Sequence, residues 1–375
     1  MEIIELRGMT WDHPRGLDCL VQSNDLLVEK CGISITWDAR SLLAFGDQPI
    51  AEFYRDYDLM VIDHPHVPDA VHEKAVVAFE DLASQSELDL LAATSVGQSH
   101  HSYCYQNRHW ALALDTAAQV SAFRPDKADR SPVFWHEVIE IAKTHQLLWA
   151  HKPVDAFSTF ATLLAQKGSP IEGNSKYIDR EVAREVLEFM VELAVLVPEF
   201  CAASNPIEIA EVLSGSDEYA YGVCMYGYSN YSRANFRKNV LVYDDVPSFD
   251  GLATGSQLGG AGIAVSAASR DPQSAGKAAR LLCLPEIQAT TYGLHGGQPG
   301  NLVAWKDNIL NRGSANFFRN TLRTLEGAWV RPRVLGWPEV QYQSSLVIHK
   351  CLVERKVQRS DVAEIAAVYA RYVKE

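Results

Sequence analysis

"MVIDHPHV", residues 60–67, decides how the chain is read. An apolar run from Met60 to Ile62 stops at Asp63-His64-Pro65-His66. A short apolar run bounded by turn residues reads as a buried strand. Its carboxyl-terminal loop then carries one carboxylate and two imidazoles. "GMTWDHPRG", residues 8–16, repeats the arrangement with Asp12-His13-Pro14. Proline restricts φ, so both loops are stiff.

Outward from these loops, strands and helices alternate. "EIIELRGM" (2–9) reads as a strand, and "LDCLVQSNDLLVEK" (17–30) as the helix after it, with Pro14 near its start. "GISITWDA" (32–39) is a second strand, "PIAEFYRDY" (49–57) a short helix and "LMVID" (59–63) the third strand. "DAVHEKAVVAFEDLAS" (69–84) reads as an amphipathic helix. Alternation at this spacing predicts a parallel sheet of βαβ units. "RHWALALDTAAQVSAFRPD" (108–126) reads as two strands broken at Asp115-Thr116 that lead into a second domain. Beyond it lie a helix over 131–146 with Ser131 as N-cap, and a strand, loop and helix over 147–168. A long helix capped by Asp179 and a strand entering the tyrosine-rich loop "MYGYSNYSR" (225–233) follow. "GGAGIAVSAASRDPQSAGKAARLLC" (259–283) is a strand and a helix capped by Asp271, which return the chain to the first domain. The tail from about Asn316 is helical.

Two domains fit the length of 375 residues, since single cores stop growing at roughly 250–300 residues. With 47% apolar and 22% charged residues the composition is globular. A net charge of −13 argues against nucleic-acid binding, which needs a basic footprint. No apolar run is long enough to span a membrane. The first residues lack the basic and apolar regions of a secretory signal. The expected location is therefore periplasmic if a signal peptide has been removed, and cytoplasmic otherwise. Seven cysteines with no CxxC spacing suggest reduced, mostly buried thiols.

"LPEIQATTYGLHGGQPG" (284–300) resembles the closing element of the extracellular solute-binding proteins of ABC transporters. "LALDTAAQVSAFRPD" (112–126) resembles their first crossover, and "SRDPQSAGKAARLLCLPEIQ" (269–288) the helix after the return to the first lobe. "LRGMTWDHPRG" and "VIDHPHV" look like the carbohydrate-type subgroup. The resemblance covers nearly the whole chain. It implies an α/β, two-lobe type II periplasmic-binding-protein-like fold with an interdomain cleft. Lobe one would hold 1–110 and 255–310, lobe two 111–254, and the helices of 311–375 would pack across the lobes. The family's strand order, 2-1-3, would set the two Asp-His-Pro loops side by side, where ligands of doubly wound sheets sit.

Ligand contacts are expected from Trp11, Asp12, His13, Asp63, His64, His66, Asp115, Gln119, Trp149, Tyr226, Tyr228 and Gln257. Each has a bland alternative. Aspartate at a strand end caps a turn, tryptophan fills a core, and a crossover Asp or Gln bonds the hinge. His64-Pro65-His66 is too constrained to predict a metal site, and neither metal nor cofactor is expected.

The resemblance implies a solute-binding protein holding a polar ligand, a carbohydrate or organic acid, with hinge closure and an ABC permease as partner. The alternative is an enzyme on a recruited binding-protein fold, as in menaquinone and thiamin-pyrimidine synthesis. His13 and His64 would then supply acid–base chemistry, oriented by Asp63 or Asp12, for hydration, hydrolysis or proton transfer. Whether the chain is an enzyme stays open at this point. No GxSxG elbow, P-loop or dinucleotide fingerprint is present.

Overall fold

The computed structural model describes residues 3–42, 45, 48–174 and 177–373. Glu2, the first residue of the strand predicted over 2–9, lies outside them, as do the last two residues of the segment 311–375. The chain forms two compact units, Met1–Thr116 with Gly259–Asn311 (unit 1) and Ala117–Leu258 with Arg312–Glu375 (unit 2).

The strands, in chain order, are β1 (Ile4–Trp11), β2 (Ile33–Arg40), β3 (Leu59–Ile62), β4 (Val76–Val77), β5 (Cys104–Tyr105), β6 (Arg108–His109) and β7 (Leu112–Phe123). They continue with β8 (Leu147–Trp149), β9 (Tyr221–Tyr226), β10 (Val242–Asp244) and β11 (Leu258–Ser266). In unit 1 the order is β2-β1-β3-β11-β7. Strand β1 pairs with both β2 and β3 in parallel, so the two Asp-His-Pro loops leave neighbouring strands at the same edge. Strand β11 runs antiparallel to β3, so the sheet is mixed where the spacing predicted a parallel one. Leu59, Val61, Ile263 and Val265 bury one side-chain face with Leu6, Leu20 and Leu27. The opposite face, with Met9, Met60 and Ile62, packs on Phe53, Val67 and Tyr103.

In unit 2 the carboxyl-terminal half of β7 pairs antiparallel with β9, and β9 pairs in parallel with β8. Strand β10 lies on the other side of β7. The helix Pro153–Gln166 follows β8 and is buried along most of its length. The helices Arg180–Leu196 and Trp337–Val353 pack on it.

Several elements depart from the sequence reading for physical reasons. The helix predicted over 69–84 is only Val67–His72. Lys74 takes φ +54, and Val76-Val77 joins β11 as strand β4. A β-branched pair gains more from a ladder than from a helix turn. The helix predicted over 17–30 splits at Ser23, whose hydroxyl donates to the Cys19 carbonyl at 2.6 Å and competes with the helix backbone. Residues 49–57 form two 3-10 turns. The helix predicted from Ser131 starts at Trp135, because the Glu137 carboxylate accepts the N–H groups of Val133 and Phe134.

Strand β7 runs unbroken through Asp115-Thr116, where two strands were predicted. Both polar side chains are satisfied inside it. Arg15 donates to Asp115, and Thr116 Oγ1 lies 2.7 Å from Ser99 Oγ. Close approach of β11 at this point requires Gly260, whose φ is +109. A Cβ there would stand 2.5 Å from the Asp115 carbonyl oxygen. Gly260→Ala is therefore expected to destabilise by more than about 2 kcal/mol. Gly168→Ala, at φ +74 with open space around it, should cost only about 1 kcal/mol. Urea titrations of both variants check the contrast.

Candidate functional site

In unit 1 the loop after β1 is a compact turn. The N–H of Arg15 donates to His13 Nδ1 at 3.0 Å, and Thr10 Oγ1 donates to the Gly16 carbonyl at 2.8 Å. Trp11 is 4% exposed and covers Gly16, where a Cβ would collide with the indole. Asp12 is exposed and His13 half-buried. Arg15 turns inward to Asp115, with Nε 2.8 Å from Oδ2, and both side chains are buried. Burial pushes the Asp115 carboxyl up, and the Arg15 guanidinium opposes it.

After β3, Asp63 caps the turn His64–His66 by accepting the His64 N–H at 2.8 Å. His64 is fully buried with its ring edge-on to Tyr103, His66 is buried, and Asp63 is half-exposed. Unit 1 thus brings Asp12, His13, Asp63, His64 and His66 to one sheet edge. Asp115 is tied to Arg15, a residue that the sequence reading quoted without assigning a role.

Unit 2 gathers Gln119, Trp149, Tyr226 and Gln257 around the helix Pro153–Gln166. This helix carries polar residues at helical spacing, Asp155, Ser158, Thr159 and Thr162, all buried. Trp149 Nε1 donates to Thr159 Oγ1 at 3.1 Å. The Gln119 amide nitrogen donates to the same hydroxyl and to the Cys224 carbonyl, and its carbonyl accepts from Thr162. Cys224 holds φ +44 beside a bulge in the β7–β9 ladder, which turns that carbonyl toward Gln119. The Gln257 amide nitrogen donates to Ser158 Oγ at 2.9 Å and to the Tyr226 hydroxyl at 2.7 Å. Tyr226 is half-exposed and Tyr228 buried.

Two acceptors of this cluster have no partner. Gln257 Oε1 and Asp155 Oδ2 are buried without a hydrogen bond. Asp155 is 5% exposed, and burial raises its carboxyl to about 7, opposed by Lys152 and reinforced by Glu208. His151 stacks on Trp149 at 4.5 Å, and burial lowers its imidazole to about 4. The sequence reading missed Asp155 because an acid in the first helical turn ordinarily just complements the helix dipole. The available signal was a stripe of small polar side chains in an otherwise apolar helix.

Nucleophilic chemistry finds little support. Burial pushes the thiols of Cys19, Cys224 and Cys283 far up, Cys201 to about 11 and Cys351 to about 12. Such thiols are inert at neutral pH. Among the described residues no group of three or more His, Cys, Asp or Glu side chains is placed to hold a metal ion.

Solved structures resemble the chain along its whole length. A solute-binding protein of an ABC transporter from Agrobacterium radiobacter K84, in complex with ribitol, is 17% identical with a TM-score of 0.83 over 99% of both chains. Maltose-bound MalE3 of T. maritima is 16% identical with a TM-score of 0.80, over 98% of this chain and 99% of that one. A solute-binding protein from Thermotoga lettingae TMO bound with α-D-tagatose is 16% identical, again at 0.80, over 99% of both. The fold is that of the ABC-transporter solute-binding proteins. No family model and no curated protein matches the chain. Among the described residues no helix is long and apolar enough to cross a membrane.

Asp155 makes the stability of the protein depend on pH. Its folded value, about 7, lies above its ordinary 3.8. Its contribution is therefore fully present below about pH 4 and is lost as pH rises through about 7. Asp155→Asn should match the parent near pH 4 and exceed it at pH 8 by on the order of 3 kcal/mol. Chemical denaturation of both proteins at the two pH values checks it, and equal stability at pH 8 would show that the carboxylate is already compensated.

Proposed function

We propose that the protein is a solute-binding component of an ABC transporter that takes a small, polar, carbohydrate-type ligand. The full-length likeness to solute-binding proteins carrying ribitol, tagatose and maltose is the observation that carries this reading. The residues offered to the ligand are, in unit 1, Trp11, Asp12, His13, Asp63, His64, His66 and Asp115. In unit 2 they are Gln119, Trp149, Tyr226, Tyr228 and Gln257, to which Asp155 and Ser158 are added. Half-exposed Asp63, His13 and Tyr226, with exposed Asp12, would make direct hydrogen bonds, and the buried members would hold them in place. The protein would act outside the cytoplasmic membrane and deliver its ligand to a permease.

The enzymatic reading has less behind it. His13 Nδ1 is occupied by a backbone N–H, and His64 is enclosed. Acid–base chemistry would then fall to the other ring nitrogen of His13 alone.

A ligand that binds only the folded state raises its stability by about 2.7 kcal/mol at one hundred times Kd. Ribitol, mannitol, tagatose and maltose should therefore be screened by thermal shift and calorimetry. At least one is expected to raise Tm by several degrees with saturable heat. The proposal fails if a broad panel of sugars, polyols and sugar acids produces neither.

A further inference from the structure

In unit 1 the segment between the helix Gln85–Ala93 and β5 carries a buried titratable group that the ligand reading leaves unused. His100 is 6% exposed. Its ring lies against that of His109 in β6, with centroids 4.3 Å apart and planes at 37°. His109 is gripped by Glu80, in the turn Phe79–Asp81. The His109 N–H donates to both carboxylate oxygens, at 3.0 and 3.1 Å, and Nδ1 lies 2.9 Å from Oε1. His100 also lines a small cavity with Ser95, Leu112 of β7, Cys283 and Asn301. No carboxylate is found among the described residues that line it.

The same segment supports its surroundings. Ser99 Oγ lies 2.7 Å from Thr116 Oγ1 in the middle of β7. The N–H groups of Ser99 and Ser102 donate to the Val96 and Gln98 carbonyls, and that of Tyr103 to the His100 carbonyl. Tyr103 is 2% exposed and stands edge-on to His64, with ring centroids 6.1 Å apart. A displacement of His100 therefore disturbs one contact to β7 and one to the Asp-His-Pro loop after β3.

The titratable groups around His100 are His109, His101 and Glu80. Arg108, beside His109, meets Asp81 at 2.6 Å and Glu80 at 3.7 Å. Cys283, on the cavity wall, has its thiol pushed far up by burial and carries no charge in acid. Burial opposes protonation of His100 most, His109 and His101 add to it, and Glu80 works against them. Protonating both stacked rings would set two cations 4.3 Å apart, with Glu80 in contact with only one of them. Like charges that close disfavour each other.

We propose that His100 is an acid latch: protonation expels it from its place beside His109, opens the segment Ser95–Tyr103, and releases Thr116 and Tyr103 from their present contacts. In place, the imidazole titrates at about 4, against an ordinary 6.5. A lowered value contributes stability to the closed segment above about pH 6.5, and that stability is lost as pH falls toward about 4. The ratio of open to closed should rise by as much as about 300-fold across this interval. The latch stands on unit 1 alone, and only its effect on a ligand rests on the solute-binding reading.

Hydrogen exchange, corrected for the intrinsic pH dependence of amides, measures opening residue by residue. Between pH 7 and pH 4.5 the amides of Ser99, Ser102, Tyr103 and Thr116 should lose protection by about fiftyfold, and those of β8 in unit 2 should not. The loss should be absent in His100→Gln, which takes up no proton. It should be smaller in His109→Gln, where no second cation faces His100. Equal losses in the parent and His100→Gln, or a loss spread evenly over both units, overturn the latch. Should His100→Gln fail to fold, His109→Gln decides, since an undiminished loss in it overturns the role of the stacked pair. Ligand release is the second measurement. For any of ribitol, mannitol, tagatose and maltose that binds at pH 7, dissociation is followed by stopped flow at pH 7 and pH 5. Release should be several-fold faster at pH 5 in the parent and change less in His100→Gln. The same pH dependence in both proteins overturns the link from latch to site. The expected loss of protection with no sugar bound at either pH upholds the latch and sinks the carbohydrate-type ligand.

Discussion

The ion pair of Arg15 and Asp115 is the constraint around which unit 1 is arranged. Both side chains are removed from water, at 4% and 1% exposure. A buried pair of this kind contributes little net stability, but loss of either partner strands the other charge and costs about 3–5 kcal/mol. Its value is positional. Arg15 ends the Asp-His-Pro loop after β1, and Asp115 lies in β7 one residue before Thr116, where unit 1 gives way to unit 2 along the chain. The pair pins the loop to that strand. It also accounts for the stiffness of "DHPRG": Pro14 sets the turn, the Arg15 N–H finds His13, and Gly16 leaves room for Trp11.

Unit 2 is organised by side-chain amides and hydroxyls. Gln119 spans Thr159, Thr162 and the Cys224 carbonyl, and Gln257 spans Ser158 and Tyr226. Each glutamine uses a planar amide to fix two elements at once, so β7, β9 and the helix after β8 are held in one register. A fully satisfied network of this kind rigidifies a core, and a partly satisfied one is costly. Gln257 Oε1 in this network, and Asp155 Oδ2 on the same helix as Ser158 and Thr159, are buried without a hydrogen bond.

Much of the fold was legible. The two Asp-His-Pro loops do end neighbouring strands, and Asp179 and Asp271 do cap the helices that they precede. What these residues do was less legible, because it depends on partners distant in sequence. Nothing within "DHPRG" shows that Arg15 meets a carboxylate one hundred residues on. "AVVAF" (75–79) has helical periodicity until β11 offers Val76 and Val77 a ladder. "ALDTAAQV" (113–120) looks broken by polar residues until Arg15 and Ser99 satisfy them. Asp155 was hidden by its conformity, since local rules place an acid where it stands and only tertiary burial makes it unusual.

The contrast between the two buried aspartates carries the functional argument. Asp115 and Asp155 are nearly equally enclosed, yet one has a guanidinium held against it and the other has no cation at contact distance. Selection for stability alone would remove an uncompensated buried carboxylate, since asparagine keeps the shape without the charge. A protein retains such a group where the missing partner arrives with something else, and the stability given up in the empty state returns as affinity in the loaded one. Trp149 and Gln257 hydrogen-bond Thr159 and Ser158, which follow Asp155 on its helix.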